Sequence, residues 1–365
     1  MKIGLDVRMI NYSGIGRYIR NILSHMLEYN NGEEFILYGK INEVRNQFPT
    51  TEAVIYQTEY EIYKIVEQIM LPSKLKDLDI FHSPHYNFPI LYRGRVIVTV
   101  HDIIHFLYPI ELRSKLAKLY SRYMFKKLQK KSHKIITDSE STKRDLIEYF
   151  KFKPENIEVI YIGVDPYFKQ LDDPKVISRF KEKLGVKGLM LMFVGLNKYH
   201  KNIQALLKVS KILKEKNFDF TLLLAGTKMN EKQLLKTIDE LGISENVKVL
   251  SYLDDLMMLY AYNAADIFIL PSFYEGFGLP PLEAMACGTP VIVSNASSLP
   301  EVVGDAGLMI NPKEIDDIVQ AIIKLSEDSE LYNEMVKKGL EHIKKFSWAD
   351  AAQKTYDLYK RVINE

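Results

Sequence analysis

The sequence predicts an α/β protein built from two successive doubly wound domains. Short apolar segments of strand length alternate with amphipathic helical segments along the chain, as in parallel α/β architectures. The 365 residues exceed what one ordinary hydrophobic core organises, so two domains are expected. A polar stretch with prolines and a glycine, residues 165–188, interrupts the alternation and predicts the boundary between them.

The apolar runs place the elements in order. Strands are predicted in the first half at Lys2–Val7, Phe35–Tyr38, Asp79–His82, Val96–His101, Lys134–Thr137 and Glu158–Ile162, with helices at Ile15–Glu28, Glu61–Lys74 and Glu111–Lys131. The second half repeats the pattern with strands at Leu189–Val194, Thr221–Leu224, Lys248–Leu250, Ile267–Leu270, Pro290–Val293 and Leu308–Ile310, and ends in a helix at Trp348–Val362. We therefore expect an N-terminal domain over residues 1–168, a linker over 169–188, a second domain over 189–346 and a terminal helical segment over 347–365.

Composition narrows the class of protein. With 47% hydrophobic and 26% charged residues the chain is typical of a globular protein, and a net charge of +2 does not indicate nucleic-acid binding. The single cysteine, Cys287, excludes a disulfide framework. No apolar run reaches membrane-spanning length, and the first residues are too short and too quickly charged for a signal peptide, so a cytoplasmic protein is expected.

The most informative motif lies between Pro271 and Pro290. A strand-length apolar run, Asp266–Leu270, precedes a glycine-rich turn at Gly276–Gly278, and two prolines suited to a first helical turn follow. A strand, loop and helix in this order direct backbone N–H groups and the positive helix end toward one point. The motif therefore predicts an anion site.

Two glutamates of this motif, Glu275 and Glu283, stand eight positions apart. Glu275 is expected at the mouth of the loop and Glu283 about two turns along the helix. Carboxylates beside an anion site are explained if the anion is a sugar diphosphate, because carboxylates accept hydrogen bonds from sugar and ribose hydroxyls while the loop amides bind phosphate. The alternative is a glycine-rich βα turn with a surface glutamate, and Glu283 alone is an ordinary helix residue.

Residues 275–292, EGFGLPPLEAMACGTPVI, resemble the hallmark of the retaining glycosyltransferases of family 4, with the two glutamates matching that family's E-x7-E motif. The resemblance extends over nearly the whole chain and is looser over residues 30–80. It implies the GT-B fold, in which two Rossmann-like domains face a central cleft and the last helix crosses back onto the first domain. Donor sugar contacts by Glu275 and ribose contacts by Glu283 are implied as well.

The resemblance also implies functional loops after other strands. Lys201, in the loop after Leu189–Val194, is similar to the family lysine that contacts the donor diphosphate; many relatives carry arginine where this chain has His200, so a second fixed charge remains open. A weak GxG pattern follows the first strand and is similar to the family's glycine loop. The donor-binding residues implied in this way are Gly14, Gly16, Gly195, Asn197, His200, Gly226, Tyr252, Leu253, Gly276, Phe277, Gly278, Leu279 and Glu283.

Histidines after two strands of the first half are candidates for the acceptor side. His101 and Asp102 resemble the family's His-Asp pair, in which the histidine lies near the transferred sugar, and we group His101 with Glu275 and Lys201 as the candidate catalytic residues. His82 ends the preceding predicted strand, His85 follows it, and both are expected on the acceptor side. No cysteine or carboxylate cluster completes a metal site with them, so no metal and no cofactor are expected.

A basic amphipathic segment, Glu111–Lys134, carries many cations and one acid. The cations are Arg113, Lys115, Lys118, Arg122, Lys126, Lys127, Lys130, Lys131 and Lys134. A segment of this kind is typical of a membrane-surface element, because each cation near anionic lipid contributes about 1 kcal/mol. It predicts peripheral binding to an anionic membrane, with the alternative of a packed helix whose basic face is solvated.

The function implied is transfer of a hexose from a nucleotide diphosphate sugar to a saccharide or lipid-linked acceptor. The GIGRY and HDIIHFLYP stretches most resemble bacterial mannosyltransferases of O-antigen and polysaccharide assembly, which implies GDP-mannose; UDP-glucose, UDP-galactose and UDP-N-acetylglucosamine remain alternatives. Two other classes stay open. One is a hydrolase or phosphorylase that uses the two glutamates as a carboxylate pair, and the other is a non-catalytic sugar-binding protein.

Overall fold

A computed structural model describes residues 1–29, 32–109, 114–227 and 231–365. The chain divides into two compact units. The first contains Met1–Gly163 together with Ser347–Glu365, and the second contains Val164–Phe346. Each unit holds one entirely parallel sheet with helices between its strands. The predicted pair of doubly wound α/β domains is confirmed.

The first unit is built on a seven-stranded sheet in the order β3-β2-β1-β4-β5-β6-β7. Its strands are β1 Lys2–Asp6, β2 Glu34–Gly39, β3 Val54–Gln57, β4 Ile80–Ser83, β5 Val96–Val100, β6 Lys134–Thr137 and β7 Ile157–Val159. Its helices are α1 Ser13–Glu28, α2 Ile41–Gln47, α3 Ile65–Met70, α4 Ile104–Leu107, α5 Lys115–Lys131 and α6 Glu140–Phe150. The order in which the strands were added reverses between β1 and β4, and ligands of such sheets bind at this point.

The second unit has a six-stranded sheet in the order β10-β9-β8-β11-β12-β13. The strands are β8 Leu189–Val194, β9 Phe220–Ala225, β10 Val247–Leu250, β11 Ile267–Leu270, β12 Val291–Ser294 and β13 Leu308–Ile310. The helices are α7 Pro174–Leu184, α8 Ile203–Glu215, α9 Glu231–Glu240, α10 Asp255–Ala264, α11 Leu279–Ala286, α12 Leu299–Val303, α13 Ile315–Glu327 and α14 Ser329–His342. Its order reverses between β8 and β11.

The central strands are buried on both faces, which explains their continuous apolar sequences. β5 reads VIVTV and β11 reads IFIL, and every residue of both strands is buried. Helices on both faces of a parallel sheet require this composition. Most of the candidate polar residues therefore lie in the loops at the strand ends, whereas Glu283 lies in α11 and His82 in β4.

The terminal helix α15, Trp348–Asn364, packs on the first unit, as the fold prediction requires. The Ser347 hydroxyl caps its first turn by accepting from the Asp350 amide. The Tyr359 hydroxyl lies 2.5 Å from Nδ1 of the buried His82, which ties the helix to the end of β4. Gly163 allows the close approach, because a Cβ there would lie 2.1 Å from the Trp348 nitrogen.

Several stretches differ from the elements predicted, and the helices α2, α4 and α6 of the first unit were not predicted. The edge strand β3 is short and partly exposed, so its sequence has too little apolar periodicity to indicate a strand. The helix predicted over Glu61–Lys74 is only the six residues of α3, because Pro72 starts a separate 3₁₀ turn at Pro72–Lys74.

The stretch predicted as a linker, residues 169–188, contains α7, which Asp173 caps at its start. In this helix Lys181 donates to both carboxylate oxygens of Asp266, at 3.0 and 2.9 Å, immediately before β11. Residues 174–184 are therefore helical and attached to the second unit.

Candidate active site

The candidate donor site of the second unit lies at the carboxyl ends of β8, β9 and β11. Gly195 follows β8 and Gly226 follows β9, and a Cβ on Gly226 would lie 3.7 Å from the Gly195 nitrogen. Both glycines have positive φ, of 156° and 74°, which only glycine adopts readily. The two loops can therefore run side by side without side chains between them.

Lys201 and Glu275 form an ion pair at this edge of the sheet. The lysine Nζ donates to both carboxylate oxygens at 2.8 Å. The lysine side chain is 17% exposed and the glutamate 10% exposed, so the pair is largely shielded from water. The sequence predicted only that Lys201 and Glu275 each follow a strand. The structure shows that the cation and the carboxylate are in direct contact.

The loop that carries Glu275 is held by serine side chains. The Ser272 hydroxyl donates to Glu275 Oε1 at 2.6 Å and orients the carboxylate. After β12, the hydroxyls of Ser297 and Ser298 donate to the Glu275 carbonyl, and Ser298 also donates to the Phe277 carbonyl at 2.6 Å. These contacts fix the Gly276–Gly278 turn. Sequence reasoning missed the serines, although they follow a predicted strand.

The turn leads directly into α11. Gly278 has φ of 108°, and a Cβ there would lie 2.7 Å from Leu299 Cδ2, so glycine is required on both counts. Pro280 and Pro281 occupy the first turn of the helix, as predicted. The half-buried Gly276 and Leu279 and the buried Phe277 make up the rest of the turn.

Glu283 lies inside the second unit. It is buried, and the Tyr262 hydroxyl of α10 donates to its Oε2 at 2.7 Å. The contact with Tyr262 was not predicted, because nothing in the sequence relates α10 to α11. A role for Glu283 in binding ribose remains a prediction.

The β8–α8 loop around Lys201 is braced by its neighbours. Asn202 adopts a left-handed conformation, and its side-chain amide donates to the carbonyls of Pro271 and Pro312 at 3.1 and 2.8 Å. The carbonyl of the buried His200 accepts from the Phe273 amide at 2.7 Å. Asn197 is half-buried in this loop, whereas Tyr252 is largely exposed and Leu253 half-buried after β10.

The two glycines predicted for a loop after β1 lie in the first turn of α1 and differ in burial. Gly14 is exposed at the start of α1, and no atom lies within 4 Å of a Cβ built there. Gly16 is buried, and a Cβ there would lie 2.4 Å from the Ile10 carbonyl oxygen. Close packing of Ile10 against the first turn of α1 therefore explains the need for glycine at position 16. At Gly14 the backbone of the helix N-terminus stays accessible.

His101, at the end of β5, is held by two acceptors. Its Nδ1 lies 2.5 Å from Asp138 Oδ2 and its Nε2 lies 3.1 Å from the Pro84 carbonyl oxygen. A carboxylate and a carbonyl both require N–H donors, so the geometry fits the protonated ring. Burial lowers the pKa of His101, but the charge and hydrogen bond of Asp138 outweigh burial and raise it. Asp138 was not singled out, although it follows the predicted strand β6.

The other predicted acceptor-side residues have internal partners. His82 is fully buried between Tyr359 and Thr99, and burial followed by the charge of His101 lowers its pKa to about 3. His85 is half-buried and bonded to the Tyr63 hydroxyl, and burial also lowers its pKa to about 3. Asp102 accepts from the Ile104 amide at 2.9 Å and so fixes the start of α4.

In the ranges that the structure describes, no three His, Cys, Asp or Glu side chains are grouped so that they could hold a metal ion. Within those same ranges, no helix combines the length and apolarity needed to cross a bilayer.

Comparisons with known proteins agree with this geometry. Residues 175–342 match the model of the group 1 glycosyl transferases, and residues 12–168 match that of glycosyltransferase family 4. The O-antigen chain mannosyltransferase B of Escherichia coli is 30% identical, over 99% of this chain and 100% of the relative. The chain belongs to glycosyltransferase family 4.

Two further similarities are to part of a longer relative and to a solved structure. A serotype-specific mannosyltransferase WbdA of E. coli is 30% identical over 63% of this chain, which spans only 29% of that relative's length. The solved structure of Anabaena Alr3699/HepE in complex with UDP and glucose matches 99% of this chain and all of that chain, with a TM-score of 0.80 and 19% identity. At that identity the structural similarity shows the fold alone.

Proposed function

We propose that this glycosyltransferase moves a mannosyl group from GDP-mannose to a saccharide or lipid-linked saccharide in the synthesis of cell-surface polysaccharide. The second unit binds the nucleotide sugar and the first unit binds the acceptor. The observation that carries the proposal is the Lys201–Glu275 ion pair, in which Glu275 stands four residues before the start of α11. Such an arrangement offers a cation and backbone amides to a diphosphate, and a carboxylate to sugar hydroxyls.

Departure of the diphosphate is the step that the site assists. The glycosidic C–O bond breaks, and negative charge develops on the phosphate oxygen that leaves. Lys201 and the amides of the Gly276–Leu279 turn stabilise that charge, while Glu275 binds donor hydroxyls and faces the cationic sugar carbon. The acceptor hydroxyl forms the new bond and gives its proton to the departing phosphate oxygen, with retention of anomeric configuration.

Ligand binding changes the partners of Lys201 in this scheme. In the structure the lysine is paired with Glu275. A diphosphate that reaches Nζ competes for the lysine, and the sugar hydroxyls that come with it supply new donors to the carboxylate. The intact nucleotide sugar therefore satisfies both groups better than free phosphate does.

Mannose is proposed because of the relatives. Two curated relatives are mannosyltransferases, and the O-antigen enzyme of E. coli matches over its full length. A neighbour of the same fold was solved with UDP and glucose, so a UDP-sugar donor is the alternative to test. The nucleotide is therefore the first variable to test.

On the acceptor side, we propose that His101 lies near the transferred sugar as a positively charged group that orders hydroxyls. Both of its ring nitrogens face acceptor oxygens, of Asp138 and Pro84, so neither is directed at a proton that it could accept. A lipid-linked acceptor further requires the enzyme to work at a membrane, and α5 supplies cations for peripheral binding to the anionic inner face of the cell membrane.

Thermal shift with GDP, UDP, ADP and their common sugar conjugates tests the donor. A ligand at a hundred times its Kd adds about 2.7 kcal/mol to stability, which a melting curve resolves. We expect stabilisation by GDP and GDP-mannose, and release of GDP when a saccharide acceptor is added. Stabilisation by UDP conjugates alone would move the substrate and keep the mechanism. No response to any nucleotide would contradict the proposed donor site.

A further inference from the structure

The short helix α3, Ile65–Met70, is oriented with its polar side inward. Glu67 and Gln68 are buried, with Glu67 only 1% exposed. Ile65, at 76%, and Ile69, at 60%, are exposed together with Val66 and Met70. A helix at the surface of a globular protein normally shows the opposite pattern, so the outer face of α3 fits an apolar environment.

Buried polar contacts fix this orientation. The Glu67 carboxylate accepts from Arg8 Nη1 at 2.5 Å and from Asn87 Nδ2 at 2.6 Å. Gln68 Oε1 accepts from the Ile90 amide at 2.9 Å. Turning α3 over to hide its isoleucines would separate Glu67 from Arg8 and leave the Ile90 amide without its acceptor, which is costly for buried groups. The apolar face is therefore held outward.

The basic helix α5 beside α3 also carries exposed apolar side chains. Gln68 Nε2 lies 3.5 Å from the Tyr120 hydroxyl, so the two helices are neighbours. Leu116 and Tyr123 lie four residues before and three after Tyr120, on the same helix face, and Leu119 lies beside them. Leu116 is 79% exposed, Leu119 is 67% exposed and Tyr123 is also exposed. The predicted residues Glu111–Arg113 lie outside the described residues.

The charge of α5 has one sign, and the exposed Glu61 just before α3 is paired with Lys64 at 3.6 Å. α5 contains no acidic residue, and its cations are Lys115, Lys118, Arg122, Lys126, Lys127, Lys130 and Lys131. The one acid of α3, Glu67, is buried and paired with Arg8. Exposed apolar side chains edged by lysines and arginines match the interface of an anionic bilayer, which offers hydrocarbon beneath negative headgroups.

We propose that α3 inserts its outer face, Ile65, Val66, Ile69 and Met70, into the acyl boundary of an anionic lipid bilayer, while α5 binds the headgroups. The proposal rests on the membrane binding by α5 proposed above and adds an apolar anchor that charge alone does not provide. Headgroup attraction weakens with salt, whereas burial of the α3 face does not.

A fluorescent probe on α3 tests insertion directly. The single native cysteine, Cys287, is buried, and burial raises its thiol pKa to about 12, so it stays unlabelled in the folded protein. The full chain carrying Ile69→Cys is labelled with an environment-sensitive dye and mixed with vesicles of phosphatidylcholine and phosphatidylglycerol. Leu235→Cys, at an exposed position of α9 in the second unit, is the matched control.

We expect a blue shift and protection from an aqueous quencher at position 69 and neither at position 235. Sedimentation with the vesicles while the dye at position 69 stays aqueous would overturn insertion and leave headgroup binding by α5 intact. Absence of sedimentation at low salt would overturn both. A blue shift without lipid that grows with protein concentration would assign the face to a second copy of the chain and also refute insertion.

A pair of variants gives a second readout. Ile65→Ser/Ile69→Ser should lower the apparent partition coefficient on these vesicles at high salt about tenfold or more, because it removes most of the exposed apolar area of α3. Leu235→Ser should leave it unchanged. The melting temperature of the double variant should not fall, since both side chains are exposed. Equal partitioning of both variants at high salt would overturn the proposal.

Discussion

Replacing Lys201 by alanine should damage stability and catalysis together, and the two effects can be separated. Lys201 binds both oxygens of Glu275, and both side chains are largely buried. The variant leaves a shielded carboxylate whose remaining contact is the Ser272 hydroxyl, together with its interactions within the loop. We expect a lower free energy of unfolding and a lower kcat.

The magnitudes follow from the burial of the pair. Removing one partner of a buried ion pair costs about 3–5 kcal/mol, because the other charge stays desolvated. With side chains 10–17% exposed, the lower end of that range, about 3 kcal/mol, applies to the second unit. Loss of one preorganised donor to a developing anion lowers kcat roughly 10²- to 10³-fold.

The double variant Lys201→Ala/Glu275→Gln separates the two effects. Its neutral amide needs no counter-charge and keeps the bond to Ser272, so most of the lost stability should return. Activity should not return, because the double variant lacks both the cation that stabilises the diphosphate and the carboxylate that binds donor hydroxyls. Chemical denaturation and initial rates of GDP release measure the two quantities on the same samples.

The outcomes discriminate between roles of the pair. If the double variant regained both stability and turnover, Lys201 would serve only to neutralise a buried carboxylate and the donor-site reasoning would be refuted. If Lys201→Ala kept full activity, the phosphate would bind elsewhere.

Three further predictions concern the first unit. The pKa of His82 falls from 6.5 to about 3 in the folded state, so the stability that the neutral ring contributes is present above pH 6.5 and is lost on acidification toward pH 3. His82→Gln should lower the slope of unfolding free energy against pH by about 1.4 kcal/mol per pH unit near pH 5. An unchanged slope would contradict the buried neutral ring. The pKa of His101 is raised, so the stability that the charged ring contributes is complete below pH 6.5 and is lost as pH rises through the raised pKa. The difference in melting temperature between the native protein and Asp138→Asn should therefore narrow at alkaline pH. A constant difference would argue against a charged ring. Gly16→Ala should lower the melting temperature and Gly14→Ala should not, because only at Gly16 would the methyl group meet a carbonyl oxygen at 2.4 Å. An equal fall in melting temperature for the two variants would refute that distinction.

The sequence was sufficient to predict the two parallel sheets, most strand bounds and the return of the final helix to the first unit. These features depend on local signals: continuous apolar runs for buried strands, glycine and proline for loops, and a motif for the family. β3 escaped prediction because an edge strand with partly exposed residues has no strong apolar pattern. Its neighbours alone make it a strand.

The candidate site was predictable in position and not in contacts. The rule that function lies after parallel strands indicated the loops of Lys201, Glu275 and His101. The same rule covers Asp138, which follows β6, yet its importance depends on its distance to His101 across the sheet. Periodicity reports which face of an element is buried and carries no information on which polar atoms of two loops will meet.

The helix α3 shows the limit of such reasoning most clearly. Its sequence, IVEQIM, gives two equally valid interpretations: isoleucines in the core with Glu67 exposed, or the reverse. In the structure Arg8, distant in sequence and already held by Asp6 at 2.6 Å, takes Glu67 of α3 as its second carboxylate partner. This contact with a buried guanidinium holds Glu67 inward, and the isoleucines of α3 face outward. A surface suited to lipid can therefore follow from an electrostatic requirement of the core.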